Sequence, residues 1–246
     1  MNQSHHRNLV ADADSAALHA WDVSPAEARR IQADLAGQVD LTDAISLDAI
    51  EMVAGVDNTY VTRDGKTTAG SVVVVLTFPG MEIMETAIAW QPIAFPYVPG
   101  LLSFREAPAV LAACADLTVE PDVFLFDGQG YAHPRRLGLA SHLGLFLERP
   151  TIGCAKSRLV GEYTEPERVF GAHTPLVDRG EVVGAAVRTR PRHKPLFVSP
   201  GHKISVETAV AFALACCRGG AFLPEPTRLA HDLVTQERRV WIESHR

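Results

Sequence analysis

Cysteine is scarce: Cys114, Cys154, Cys216 and Cys217 are the only four in 246 residues, and none forms a C-x-x-C pair. This gives no disulfide framework and no zinc signature, and it fits reduced thiols in a cytosolic protein. Long apolar runs are missing as well. The longest, such as Ser71–Pro79, have strand length and fall well short of the roughly 18 residues of a membrane-spanning helix. Met1–Ala11 carries one Arg and no apolar stretch of the secretory kind, so a cytoplasmic location is expected. There is no internal repeat, low-complexity tract or linker, which excludes solenoids and tandem arrays. What remains is 47% apolar and 21% charged residues, an ordinary globular composition at a length sufficient for one large domain.

Positive charge is in the minority, with 23 Lys+Arg against 29 Asp+Glu and a net charge of −6. That balance argues at first sight against a nucleic-acid partner. Its distribution weakens the objection. Residues 1–50 hold eight acids and three bases, so almost all of the excess lies there. Within the balanced remainder, Arg188, Arg190, Arg192, Lys194 and Lys203 occur without an intervening acid. A basic stripe beside an acidic cluster is compatible with phosphate binding that needs a metal. A solvated charged face is the plainer reading.

Residues 1–23 are read as a flexible acidic tail and 24–246 as one domain. Ser24, Pro25 and Glu27 form a helix start, and Gly37 ends the helix. Met52–Val61, Ser71–Phe78 and Glu82–Trp90 are β-branched, apolar-rich runs separated by Asp64-Gly65 and Pro79-Gly80, which predicts an antiparallel meander. Ser103–Cys114 has helical spacing, Val123–Phe126 is a short apolar strand, Arg136–Phe146 is predicted helical and Thr151–Cys154 a buried strand. A strand pair, Val182–Arg188 with Leu196–Ser199, and two helices, Ser205–Arg218 and Thr227–Ser244, follow. A three-strand meander followed by alternating α/β predicts a mixed sheet with helices on both faces. The order is like that of the ribonuclease H architecture.

Three acids stand out. Asp57 lies within an apolar strand, where a carboxylate is costly unless it is paired, solvated or bound to a cation. Asp127 ends a strand ahead of Gly128, where side chains leave the core and ligands bind in open α/β sheets. Glu106 sits in a first helical turn, where a capping acid is the plain alternative. With the first and fourth strands adjacent, Asp57 and Asp127 point at one place, with Glu106 brought in by the helix between them. Clustered carboxylates need a neutralising cation, and hard oxygen donors select Mg²⁺, or Mn²⁺ as a substitute. Such a site suits phosphodiester hydrolysis.

Longer stretches carry a more specific signal. GVD at Gly55–Asp57, YVPGLLSFRE at Tyr97–Glu106, FDGQG at Phe126–Gly130 and AHPRRLG at Ala132–Gly138 resemble the endonuclease V family. So do PTIGCAKS at Pro150–Ser157, SPGHK at Ser199–Lys203 and LPEPTRLAH at Leu223–His231. The resemblance runs in order from about Ala49 to His231.

The resemblance implies a DNA-repair endonuclease acting on deoxyinosine, which cuts the second phosphodiester bond on the 3′ side and leaves 3′-hydroxyl and 5′-phosphate ends. It implies Mg²⁺ dependence, with Asp57, Asp127 and Glu106 at the metal and Lys156 and His231 as further catalytic residues. Pro96–Pro99 resembles the family's wedge, in which Tyr97, Val98 and Pro99 meet the gap left by an extruded base; Val98 stands where Ile is common. Leu102, Gly128, Gly138 and Leu139 are the expected base pocket, where backbone donors and carbonyls discriminate hypoxanthine from adenine. His133, Arg135, Arg136 and His202 are expected to contact phosphates or support the site. Asn58-Thr59 departs from the usual pair after the Asp and is expected not to ligate metal. The expected partner is deoxyinosine-containing DNA, acted on by a monomer without membrane association. An inosine-directed ribonuclease and a non-catalytic binder of inosine-containing or branched nucleic acid are the alternatives.

Overall fold

The structure is a computed structural model that describes residues 18–245. It contains α1 (Pro25–Ala36), β1 (Met52–Arg63), β2 (Lys66–Thr77), β3 (Ile83–Pro92), α2 (Ser103–Ala115), β4 (Val123–Phe126) and α3 (Leu139–Leu147). These are followed by β5 (Thr151–Ala155), β6 (His173–Asp178), β7 (Glu181–Val187), β8 (Leu196–His202), α4 (Val206–Ala215) and α5 (Glu225–Ser244). A short 3-10 turn, Leu47–Ala49, precedes β1.

The eight strands form one sheet in the order β3-β2-β1-β4-β5-β8-β7-β6. The meander β1–β2–β3 is antiparallel, whereas β1–β4 and β4–β5 are parallel. Strand alternation divides the core between the two faces. Val53, Val72, Val123 and Leu125 pack with Ala209 and Phe212 of α4 and Ala230 and Val234 of α5. Val56, Val73, Phe124 and Phe126 pack with Val110 of α2 and Leu143 of α3. On the α2–α3 side, α1 sets Ile31 and Leu35 against Leu101, Phe104 and Leu145. Ser24 caps α1 through Glu27 N, as its position predicts. Among the described residues no helix is long and apolar enough to cross a membrane.

Four expectations need correction. Residues 1–17 of the proposed tail lie outside the described residues, but its last part is packed. The His19 ring meets His142 (Nε2 to Nε2, 2.7 Å), and Trp21 lies 5.0 Å from the Phe146 ring. The third helix starts at Leu139 rather than Arg136, because Arg136 has a φ of +57° and the chain turns there. The strand β6 is unexpected. It lies at the sheet edge, and its Pro175 and polar alternation give a weak strand pattern. The basic stripe is not continuous at the surface. Arg188 is buried, pairing with Glu165 and donating to the carbonyls of Glu167, Pro166 and His193. Lys203 pairs with Glu148 at 2.6 Å.

Candidate active site

Register brings the two aspartates together. Val56 of β1 pairs with Phe126 of β4, and Asp127 N donates to Val56 O at 3.1 Å. The next residues along both strands, Asp57 and Asp127, therefore stand side by side where β4 ends. The helix α5 crosses the same face of β1. It can approach because Gly55 lacks a side chain: a Cβ there would lie 2.0 Å from the Pro226 carbonyl oxygen. Five residues beyond Pro226, His231 Nδ1 meets Asp57 Oδ2 at 2.7 Å. Ligand atoms of Asp57, Asp127 and His231 all lie within 4.8 Å of one another. Lys156, just past β5, donates to Asp127 Oδ2.

Burial first, and then the charge of Asp127, push the Asp57 carboxyl above its ordinary range; the His231 bond and the Asn58 backbone N–H oppose the rise. Two carboxylates that repel each other, with an imidazole at the same point, form a donor set that a hard divalent cation fits. The chemistry of this site accommodates the expected metal.

Glu106 occupies a deeper position. It is 6% exposed, and both oxygens are engaged: Asn58 Nδ2 donates to Oε2 at 3.1 Å and the Tyr60 hydroxyl donates to Oε1. Strand parity explains the separation. Asp57 shares the α5-facing side of β1 with Val53, whereas Asn58 and Tyr60 share the α2-facing side with Ala54 and Val56. Burial raises the Glu106 carboxyl to about 8, with Asp57 and Asp127 adding to the rise and the Tyr60 bond opposing it. Glu106 thus lies outside the three-residue cluster and is linked to it through β1. Asn58 and Tyr60 were missed as site residues; their signal was the two-residue spacing on the strand face opposite Asp57.

A cavity of about 350 Å³ opens beside Asp127 and Lys156. All seven residues expected to meet the substrate line it: Tyr97, Val98, Pro99, Leu102, Gly128, Gly138 and Leu139. Tyr97 is 73% exposed at the rim. Gly138 permits the loop to close, since a Cβ there would sit 2.4 Å from the Gln129 carbonyl oxygen.

The segment carrying Tyr97 is tied down from below. Gly100 O accepts from His133 Nε2 at 3.0 Å and from Arg135 at 2.8 Å, and Arg135 Nε also donates to Gln32 Oε1 at 2.6 Å. Burial and the adjacent Arg135 push His133 down to about 4, so it is neutral, and its Nδ1 accepts from Arg135 N. His133 and Arg135 support the site. Arg136 pairs with Asp178 and Glu181, both at 2.8 Å, and His202 is buried, accepting from Asp40 N at 3.2 Å.

Comparison with known proteins finds similar sequences and folds. The family model for Endonuclease V matches residues 33–232. Endonuclease V of Gloeobacter violaceus is 51% identical over 219 residues, covering 89% of this chain and 88% of that protein. The crystal structure of the Bacillus subtilis enzyme superposes with a TM-score of 0.87 at 36% identity, covering 93% of this chain and 98% of that one. Endonuclease V of Ciona intestinalis, solved with a 23mer DNA containing an inosine followed by a ribo-adenosine, gives a TM-score of 0.75 at 31% identity and covers 87% of this chain and 98% of that one.

Proposed function

The chain belongs to the endonuclease V family, and on that premise we propose that it recognises deoxyinosine in DNA and cuts the second phosphodiester bond on the 3′ side, leaving 3′-hydroxyl and 5′-phosphate ends. It is a nuclease, a hydrolase of phosphodiester bonds in DNA. The observation that carries the reading is adjacency: the cavity lined by Tyr97 and Gly128 opens onto Asp127 of the acidic cluster.

Asp57 and Asp127 would hold Mg²⁺, with Glu106 behind them, and Mn²⁺ could substitute. When bound, the cation supplies Lewis acidity at the phosphate and activation of the attacking water. His231, oriented through Nδ1 by Asp57, leaves Nε2 for the attacking water. The Lys156 ammonium, beside Asp127, offsets charge that builds on the phosphate in the transition state. Tyr97 stands between Pro96 and Pro99, whose rings restrict the backbone, so its ring is presented stiffly to the gap left by a swung-out base. Backbone groups around Gly128 and Gly138 read the purine edge, and adenine leaves them unpaired. The chain acts through one catalytic domain onto which His19 and Trp21 also pack, as a monomer in the cytoplasm; the free, buried thiols of Cys114, Cys154 and Cys216 fit a reducing compartment.

The test is strand nicking of a duplex with a single inosine, with and without Mg²⁺, mapped to the nucleotide. A metal-dependent nick at the second bond 3′ to inosine is expected. Equal cutting of the adenine control, or cutting indifferent to chelator, would overturn the reading.

A further inference from the structure

Arg105 precedes Glu106 on α2, yet its side chain makes no contact with the acidic cluster among the hydrogen bonds and ion pairs of the described residues. It lies instead between two tyrosines. Its guanidinium carbon sits 5.3 Å from the centre of the Tyr60 ring and 5.9 Å from that of Tyr97. Its NH1 donates to Phe95 O at 2.7 Å, at the root of the segment that presents Tyr97. Its Nε is buried and has no hydrogen-bond partner. The Tyr60 hydroxyl donates to Glu106.

We propose that Arg105 is a positioning residue that couples occupation of the wedge by DNA to the placement of Glu106. The inference rests on the deoxyinosine reading above and extends it from binding to the chemical step. The physical basis is the set of contacts. One planar cation touches the wedge ring, the base of the wedge segment and the ring that holds the catalytic acid. The backbone of the Tyr97 segment is held, but the ring is 73% exposed at the rim and has room to turn about its own side-chain bonds; Tyr60 and Glu106 are held by the sheet and α2. When Tyr97 turns into the base stack, the guanidinium loses one π partner and reseats on Tyr60. That shift biases the Tyr60–Glu106 bond. Lesion capture then accelerates cutting beyond what tighter binding alone would give. An undamaged duplex, which leaves Tyr97 outside the stack, lacks this effect. Lys substitutes poorly, because its compact ammonium can sit over one ring but lacks the planar guanidinium that meets two rings at once.

The test is a double-mutant cycle on the full chain with Arg105→Lys and Tyr97→Ala. Affinity for the inosine duplex is measured in Ca²⁺, and single-turnover nicking in Mg²⁺. Arg105→Lys keeps the charge beside Glu106. It is expected to leave affinity within about twofold and to slow nicking of the inosine duplex about tenfold, with the residual rate on adenine unchanged. In the Tyr97→Ala background the same substitution should slow nicking by less than about threefold. Tyr60→Phe provides a second cycle against Tyr97→Ala that leaves Arg105 intact and is expected to be non-additive as well. Equal losses in both backgrounds would mean that Arg105 acts on Glu106 independently of the wedge and would overturn the proposal. A loss confined to affinity, or no loss, would do the same. Failure of the deoxyinosine reading itself would look different: the unsubstituted protein would show no preference for the inosine duplex.

Discussion

Glu106→Gln offers a measurement of the site without any nucleic acid. An unfolded chain ionises this group near 4.5, whereas burial and the neighbouring aspartates hold it near 8 in the folded protein. Between those values the folded state keeps a proton that the unfolded state has released. Stability therefore falls as pH rises from about 4.5 to 8, and this contribution levels off above 8. At pH 7 the displaced ionisation amounts to about two and a half pH units, or about 3 kcal/mol at roughly 1.4 kcal/mol per unit. Glutamine carries no such proton. In urea unfolding with EDTA, the stability of Glu106→Gln relative to wild type should climb by about 1.4 kcal/mol per pH unit between pH 5 and 8 and then flatten. Any loss of the Asn58 or Tyr60 hydrogen bonds adds an offset that does not depend on pH. A difference that stays constant across this window would refute the raised pKa, and with it the account of Glu106 as an acid enclosed behind the cluster.

Asp127→Ala should abolish nicking of the inosine duplex while leaving lesion binding in Ca²⁺ measurable; undiminished nicking would remove Asp127 from the metal site. Gly55→Ala drives a Cβ into the Pro226 carbonyl, so α5 must shift; a loss of about 1–3 kcal/mol in thermal unfolding is expected, together with reduced nicking as His231 moves off Asp57. An unchanged melting temperature would show that α5 yields without strain. Affinity for DNA should drop steeply with added salt as phosphate contacts release counterions, and a flat salt response would argue against phosphate contacts.

Much of the site was legible in local sequence. A carboxylate inside or just beyond an apolar strand has few places to go, which singled out Asp57 and Asp127 as candidates, while the Tyr97 segment and the glycine loop after Asp127 were picked out by the family resemblance. All seven expected substrate contacts line a single cavity beside Asp127, although those seven were named through the family resemblance. The meander and the short strand β4 were readable because β-branched runs and turn residues act over a few positions.

Other features depend on contacts between distant residues. His231 is 174 positions from Asp57, and only the close crossing of α5 over Gly55 brings them together. Strand parity puts Asn58 and Tyr60, not Asp57, against Glu106, and that matters only once α2 is known to cover that face. Arg188 reads as one more surface cation until the loop around Glu165–Glu167 closes over it. The sequence by itself pointed to side chains with the chemistry to hold a cation, because that is a property of the residues, while the wedge and base-pocket residues rested on the family resemblance. Which of them meet, and which lies one layer behind, was decided by sheet register and helix crossing, because those depend on packing across the whole chain.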